Sequence, residues 1–181
     1  LDVCFSGGDA AEGGLICFLN CGDLFADAEV LRRVREFVLM ARGEERGAAE
    51  GPGAIYYGDI TERRTGQRVA ANPRMDAFAC FRSIPCHQAC FYDAALLRSE
   101  RFETKWRVRA DYEHFLRCLF CLGAAARAMG FVVSCLPFVD AARIGTTSCG
   151  SALPVSRLVR ATCSFGRKYC WWMRWFFAGF D

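Results

Sequence analysis

The chain contains no run of about 18 or more apolar residues, the length a transmembrane helix needs. Its longest apolar region, Cys118 to Val139, is broken by Arg127 and Pro137, and reads as a helix followed by a buried strand. No secretory leader is visible either, since Leu1-Asp2-Val3-Cys4 reads as the middle of a domain. Lysine is scarce: 21 of the 23 basic residues are Arg, and 20 acids are interspersed among them. The formal net charge of +3 therefore carries no general nucleic-acid footprint. Cysteine is plentiful, at 12 of 181 residues, but neither a second C-x-x-C nor a His-x-x-x-His accompanies Cys118 and Cys121. Without these partners or a leader, reduced and mostly buried thiols are expected rather than zinc or disulfides. A composition of 53% hydrophobic, 14% aromatic and 24% charged residues excludes disorder and collagen-like repeats. One globular domain with a full core is expected, and no internal repeat is present.

Short apolar runs alternate with helical periodicity. Leu15 to Leu19 predicts a buried strand that ends in the polar turn Asn20-Cys21-Gly22-Asp23. Asp27 is placed to cap a helix over 27–42, in which Val30, Leu31, Val34, Phe37, Val38 and Ala41 recur at helical spacing. Gly43 to Gly53 reads as a surface loop, and Ala54 to Tyr57 as a strand running into Gly58-Asp59. Ser83 to Tyr92 is apolar at its end and polar at its centre, which puts Phe91 in the sheet. A helix is predicted over 110–122 and a strand over Phe131 to Phe138. The expected fold is α/β, with one mixed central sheet flanked by helices.

Three polar groups stand where apolar elements end. Asp23 puts a carboxylate on a tight turn at a strand terminus, which suits a hard divalent ion shared with phosphates; the same sequence also makes a plain turn. Asp111 opens a helix, where the dipole favours its ionised form, and reads either as a general base or as a cap. His87-Gln88 interrupts an apolar run, as a satisfied core histidine also would.

Their order and spacing resemble the second half of a family 2 glycosyltransferase of the nucleotide-sugar-dependent GT-A type. The resemblance runs through Leu15 to Phe25, Ile55-Tyr56-Tyr57-Gly58-Asp59, His87-Gln88-Ala89-Cys90-Phe91-Tyr92, Arg101 to Glu113, and Ile144-Gly145-Thr146-Thr147-Ser148. It covers about residues 2 to 150, with Asp2, Gly7, Ala11 and Gly13 fitting the short lead-in to the first of these strands. What the resemblance implies is a GT-A-like catalytic domain over 1–150 that lacks its N-terminal nucleotide-binding strands, as in a truncated gene product. It implies an inverting hexosyl transfer in surface polysaccharide synthesis, with Asp111 as base and Asp23 holding Mg²⁺ or Mn²⁺. His87, Gln88, Asn20, Asp59 and Arg109 would bind substrate, namely a nucleotide-sugar donor and a glycan or lipid-linked acceptor. Asn20 and Gly22 depart from the strict D-x-D pattern, Ala110 stands where many members have a second acid, and Phe5-Ser6 replaces a common Asn-Lys pair. Asp23, His87 and Asp111 are expected to converge on one cleft, within about 15 Å, the scale of one small-ligand pocket.

The last segment, 151–181, differs from the rest. Arg157, Arg160, Arg167, Lys168 and Arg174 face a single acid, Asp181, and Trp171, Trp172, Trp175, Phe176 and Phe177 lie among them. This pattern predicts a basic aromatic amphipathic helix at a membrane interface, and hence a cytoplasmic protein peripheral on the inner membrane face; its alternative is a packing element against protein. Nucleic acid as partner of this tail rests on composition alone and is not expected. The reading opposed to an enzyme is a non-catalytic remnant or interaction module.

Overall fold

The structure, a computed structural model, describes residues 14–20, 22–44, 52–103 and 110–137. Asp2 to Gly13, Cys21, Arg109, Ile144 to Ser148 and the basic aromatic tail over 151–181, all invoked above, lie outside the described residues.

The elements run β1 (Leu15–Cys17), β2 (Leu24–Phe25), α1 (Val30–Glu44), β3 (Ala54–Glu62), β4 (Arg68–Val69), α2 (Ala77–Arg82), a 3-10 turn (His87–Ala89), β5 (Cys90–Asp93), α3 (Ala94–Ser99), α4 (Ala110–Leu116), a π-helical turn (Arg117–Cys121) and β6 (Ala125–Leu136). The strands form one mixed sheet in the order β1-β5-β3-β6-β2, and β4 hydrogen-bonds to β3. Among the described residues only β3 and β6 pair in parallel; the other pairings are antiparallel. This is the mixed α/β sheet flanked by helices that the alternating runs predict, and it is consistent with the GT-A-like fold that the resemblance implies.

The period-2 pleat distributes the strand side chains between two cores. Ile16, Ile55, Tyr57, Cys90 and Tyr92 point to one side and pack with Leu96, Tyr112, Phe115, Leu116 and Cys118 from the helices that follow β5. Cys17, Ala54, Tyr56, Phe91 and Val133 point to the other side, where Val30, Val34 and Val38 of α1 cover them. With both faces covered, β3 is buried along almost its whole length, Asp59 and Glu62 included. Asp93 fastens three elements together: its carboxylate accepts from the Ala54 N–H at 2.7 Å and from Arg42 at 2.5 Å.

Several predicted boundaries are corrected: β1 ends at Cys17 instead of Leu19, and the helix expected over 27–42 runs Val30–Glu44. Gly58-Asp59 lies inside β3, which continues to Glu62. A Cβ at Gly58 would stand 2.5 Å from Val133 Cγ2 and 2.6 Å from the Phe131 carbonyl oxygen, so this glycine serves the close approach of β6 rather than a strand end. β6 begins at Ala125, six residues before the predicted start, because its first half is held by parallel pairing to β3. Finally, α4 gives way to the π-helical turn, where the Leu122 N–H reaches the Arg117 carbonyl at 3.2 Å. Such turns often lie near functional sites.

Candidate active site

The carboxyl ends of β1 and β3 and the amino end of β5 lie at one edge of the sheet, because β1 and β3 both run antiparallel to β5. Open α/β sheets bind ligands at such an edge. The turn after β1 is closed twice: the Asp23 N–H donates to the Asn20 carbonyl at 3.1 Å, and the Asn20 N–H donates to Asp23 Oδ2 at 3.0 Å. Gly22 carries φ 92° in this turn, a conformation that suits glycine. Asp23 Oδ1 has no hydrogen-bond partner among the described residues. Asn20 is exposed at the same turn.

Asp111 stands in the first turn of α4, half-buried. Burial first, then the charges of Asp23 and Asp111, push Cys86 up to about 11. The Cys86 thiol donates to Gln88 Oε1 at 2.9 Å. The Gln88 backbone carbonyl accepts from the Ser134 hydroxyl of β6 and from the Cys17 thiol of β1, so the 3-10 turn is anchored on both sides.

The His87 ring is stacked on Phe18, with centroids 4.9 Å apart, and meets the edge of Phe102 at 5.8 Å. Its Nδ1 is 3.3 Å from the Tyr92 hydroxyl. Burial lowers the His87 pKa while the charge of Asp111 pulls it back up, so the imidazole is neutral at pH 7. Asp59 is buried on β3, and both its oxygens are engaged. Oδ1 accepts from the Ala71 N–H at 2.8 Å and Oδ2 from Arg68 Nε at 2.8 Å, which fixes the segment after β4.

Sequence reading missed the aromatic wall. His114 is fully buried; its Nε2–H donates to the Glu100 carbonyl at 2.8 Å, and its ring stacks on Phe102 at 4.3 Å. No local pattern links Phe18, Tyr92, Phe102 and His114, because they come from four separate segments. Burial lowers His114 to about 4. On acidification the unfolded chain takes up this proton near 6.5 and the folded chain only near 4, so stability falls with pH between these values, by at most about 3 kcal/mol. Urea unfolding at pH 7 and pH 4.5 should show a smaller loss for His114→Gln than for the wild type. An equal loss in both would mean that another group titrates.

For a divalent ion, the described residues offer the spare oxygen of Asp23 and no group of three or more His, Cys, Asp or Glu. This is not an all-protein metal cage, but it fits a Mg²⁺-like ion that takes one carboxylate, water and substrate phosphates.

No protein-family model matches the chain. Over 134 residues, 74% of its length, it is 31% identical to the PGL/p-HBAD biosynthesis glycosyltransferases of Mycobacterium bovis and Mycobacterium tuberculosis. The chain spans about half, 48%, of the length of these curated relatives. The similarity supports a glycosyltransferase.

Proposed function

We propose that the chain carries the base-bearing and cation-binding part of an inverting family 2 glycosyltransferase of GT-A type. It would move a sugar from a nucleotide-sugar donor to a hydroxyl of a glycan or lipid-linked acceptor. The observation that carries this reading is that the Asn20–Asp23 turn follows β1 directly and the His87–Ala89 turn leads into β5, its hydrogen-bonded neighbour, with Phe18 stacked on His87 at 4.9 Å. A displacement at one sugar needs a base and a leaving-group site on either side of a single cleft.

In this mechanism Asp111 accepts the proton of the acceptor hydroxyl. The acceptor oxygen bonds to the anomeric carbon as the bond to the diphosphate oxygen breaks, and the electron pair leaves with the nucleoside diphosphate. Asp23, through its spare oxygen, would hold Mg²⁺ or Mn²⁺, which when bound supplies positive charge to the leaving diphosphate. Neutral His87 and the Gln88 carboxamide present hydrogen-bond donors to sugar or phosphate oxygens. Asn20 adds an exposed carboxamide at the Asp23 turn, while Asp59 acts at one remove by holding residues 68–71. Aromatic rings of Phe18 and Phe102 limit the site on the His87 side.

The test is Mn²⁺ titrated with a nucleoside diphosphate while the amide signals of the protein are followed. Broadening should centre on residues 18–23, 86–90 and 110–112 and be lost in Asp23→Asn. Broadening elsewhere, or an undiminished effect in Asp23→Asn, would remove Asp23 from cation binding.

A further inference from the structure

The hydrogen bond between Tyr92 and His87 leaves one question of direction, and the surroundings answer it. Tyr92 is buried on β5, and burial holds its phenol well above the ordinary value, so it keeps its proton. That proton needs an acceptor. Among the described residues the hydroxyl has two hydrogen-bond partners, His87 Nδ1 at 3.3 Å and the Cys90 thiol, while Asp111 acts on it only through its charge. Cys90 already donates to the Cys86 carbonyl at 3.3 Å, and a thiol sulfur is a weak acceptor, whereas an unprotonated imidazole nitrogen is a strong one. Stacking on Phe18 keeps the ring in place. His87 Nε2 has no hydrogen-bond partner among the described residues.

We propose that Tyr92 is a positioning residue: its hydroxyl donates to His87 Nδ1, fixes the Nε2–H tautomer, and leaves His87 a neutral N–H donor for a ligand oxygen beside Asp111. The ligand part rests on the glycosyl-transfer reading; the tautomer does not. A fixed neutral donor suits a hydroxyl or phosphate oxygen and spares the site a second cation. The same logic applies to other enzymes in which the partner of one ring nitrogen sets the role of the other.

The chain has two histidines, so nitrogen NMR of the imidazoles separates His87 from His114 with one His114→Gln control. At pH 7 the wild type should show His87 Nδ1 as a pyridine-type nitrogen and Nε2 as a pyrrole-type nitrogen. In Tyr92→Phe the two signals should move toward each other as the tautomers exchange, with the His114 signals unchanged as the check on folding. Transfer should lose roughly 3- to 10-fold in kcat with donor KM unchanged, the size of one hydrogen bond. A proton found on Nδ1 in the wild type overturns the proposal, even if Tyr92→Phe does not fold. An unshifted His87 signal in a folded Tyr92→Phe protein overturns it as well. If the tautomer is as expected but transfer is unaffected by Tyr92→Phe, the positioning role fails. If no transfer is found in the wild type, the functional reading fails and the tautomer assignment stands.

Discussion

Asp111→Asn should lower the proposed sugar transfer by about 10² to 10⁴-fold, the usual contribution of a general base, and leave donor binding and the fold largely intact. The reason is local. Asp111 is half-buried at the start of α4, and no described residue hydrogen-bonds its carboxylate, so the isosteric amide leaves no broken partner behind. At most it loses the favourable interaction of a carboxylate with the helix start, about 0.3 to 1 kcal/mol. In the proposed mechanism the transition state would lose its proton acceptor, because an amide nitrogen or oxygen at neutral pH does not take up the acceptor proton. Measuring kcat for transfer beside calorimetric donor affinity separates the two effects. A kcat within threefold of the wild type would place the base elsewhere.

Arg117→Met should cost about 3 to 5 kcal/mol of stability, the range for removing one partner of a buried ion pair. Arg117 Nε donates to Glu113 Oε1 at 3.1 Å and Nη2 to the Arg101 carbonyl at 2.6 Å, while Nη1 contacts Glu100. The Glu113 side chain is 3% exposed, and its Oε2 has no partner among the described residues, so loss of the guanidinium leaves a carboxylate without compensation. The same arginine ties residues 100 and 101 to the π-helical turn, next to Phe102, which stacks on His114 and borders His87. Chemical denaturation should therefore show the loss, and adding Glu113→Gln to Arg117→Met should recover part of it by removing the stranded charge. A loss below about 1 kcal/mol would mean that water already screens the pair, as at exposed sites.

The sheet was readable where the signal was local. Leu15 to Leu19 and Ala54 to Tyr57 are short apolar runs, and the valines of α1 recur at helical spacing, so strand, strand and helix follow from period alone. The first half of β6, Ala125-Ala126-Arg127-Ala128-Met129-Gly130, has no β-branched residue; its strand conformation comes from pairing with β3, which no window of neighbours contains. Gly58-Asp59 misled for a related reason. The dipeptide reads as a turn, but Gly58 answers the closeness of β6, and Asp59 answers Arg68 and Ala71. At the site, Asp23 and Asp111 were visible as carboxylates at element ends. The roles of Phe18, Tyr92, Phe102 and His114 depend on contacts between distant segments. The ion pairs of Arg117 with Glu113 and Glu100 were not read from the sequence, and the second joins segments 17 positions apart.

Nucleoside diphosphate release is the measurement that bears most directly on the proposal that Asp23 and Asp111 serve sugar transfer. The protein would be incubated with a panel of nucleotide sugars, Mg²⁺ or Mn²⁺, and hydroxyl acceptors of glycan and lipid-linked type. The expected result is release that requires both acceptor and cation and falls at least about 10²-fold in Asp111→Asn. Release that is independent of acceptor and cation, or equal in the wild type and Asp111→Asn, would contradict it.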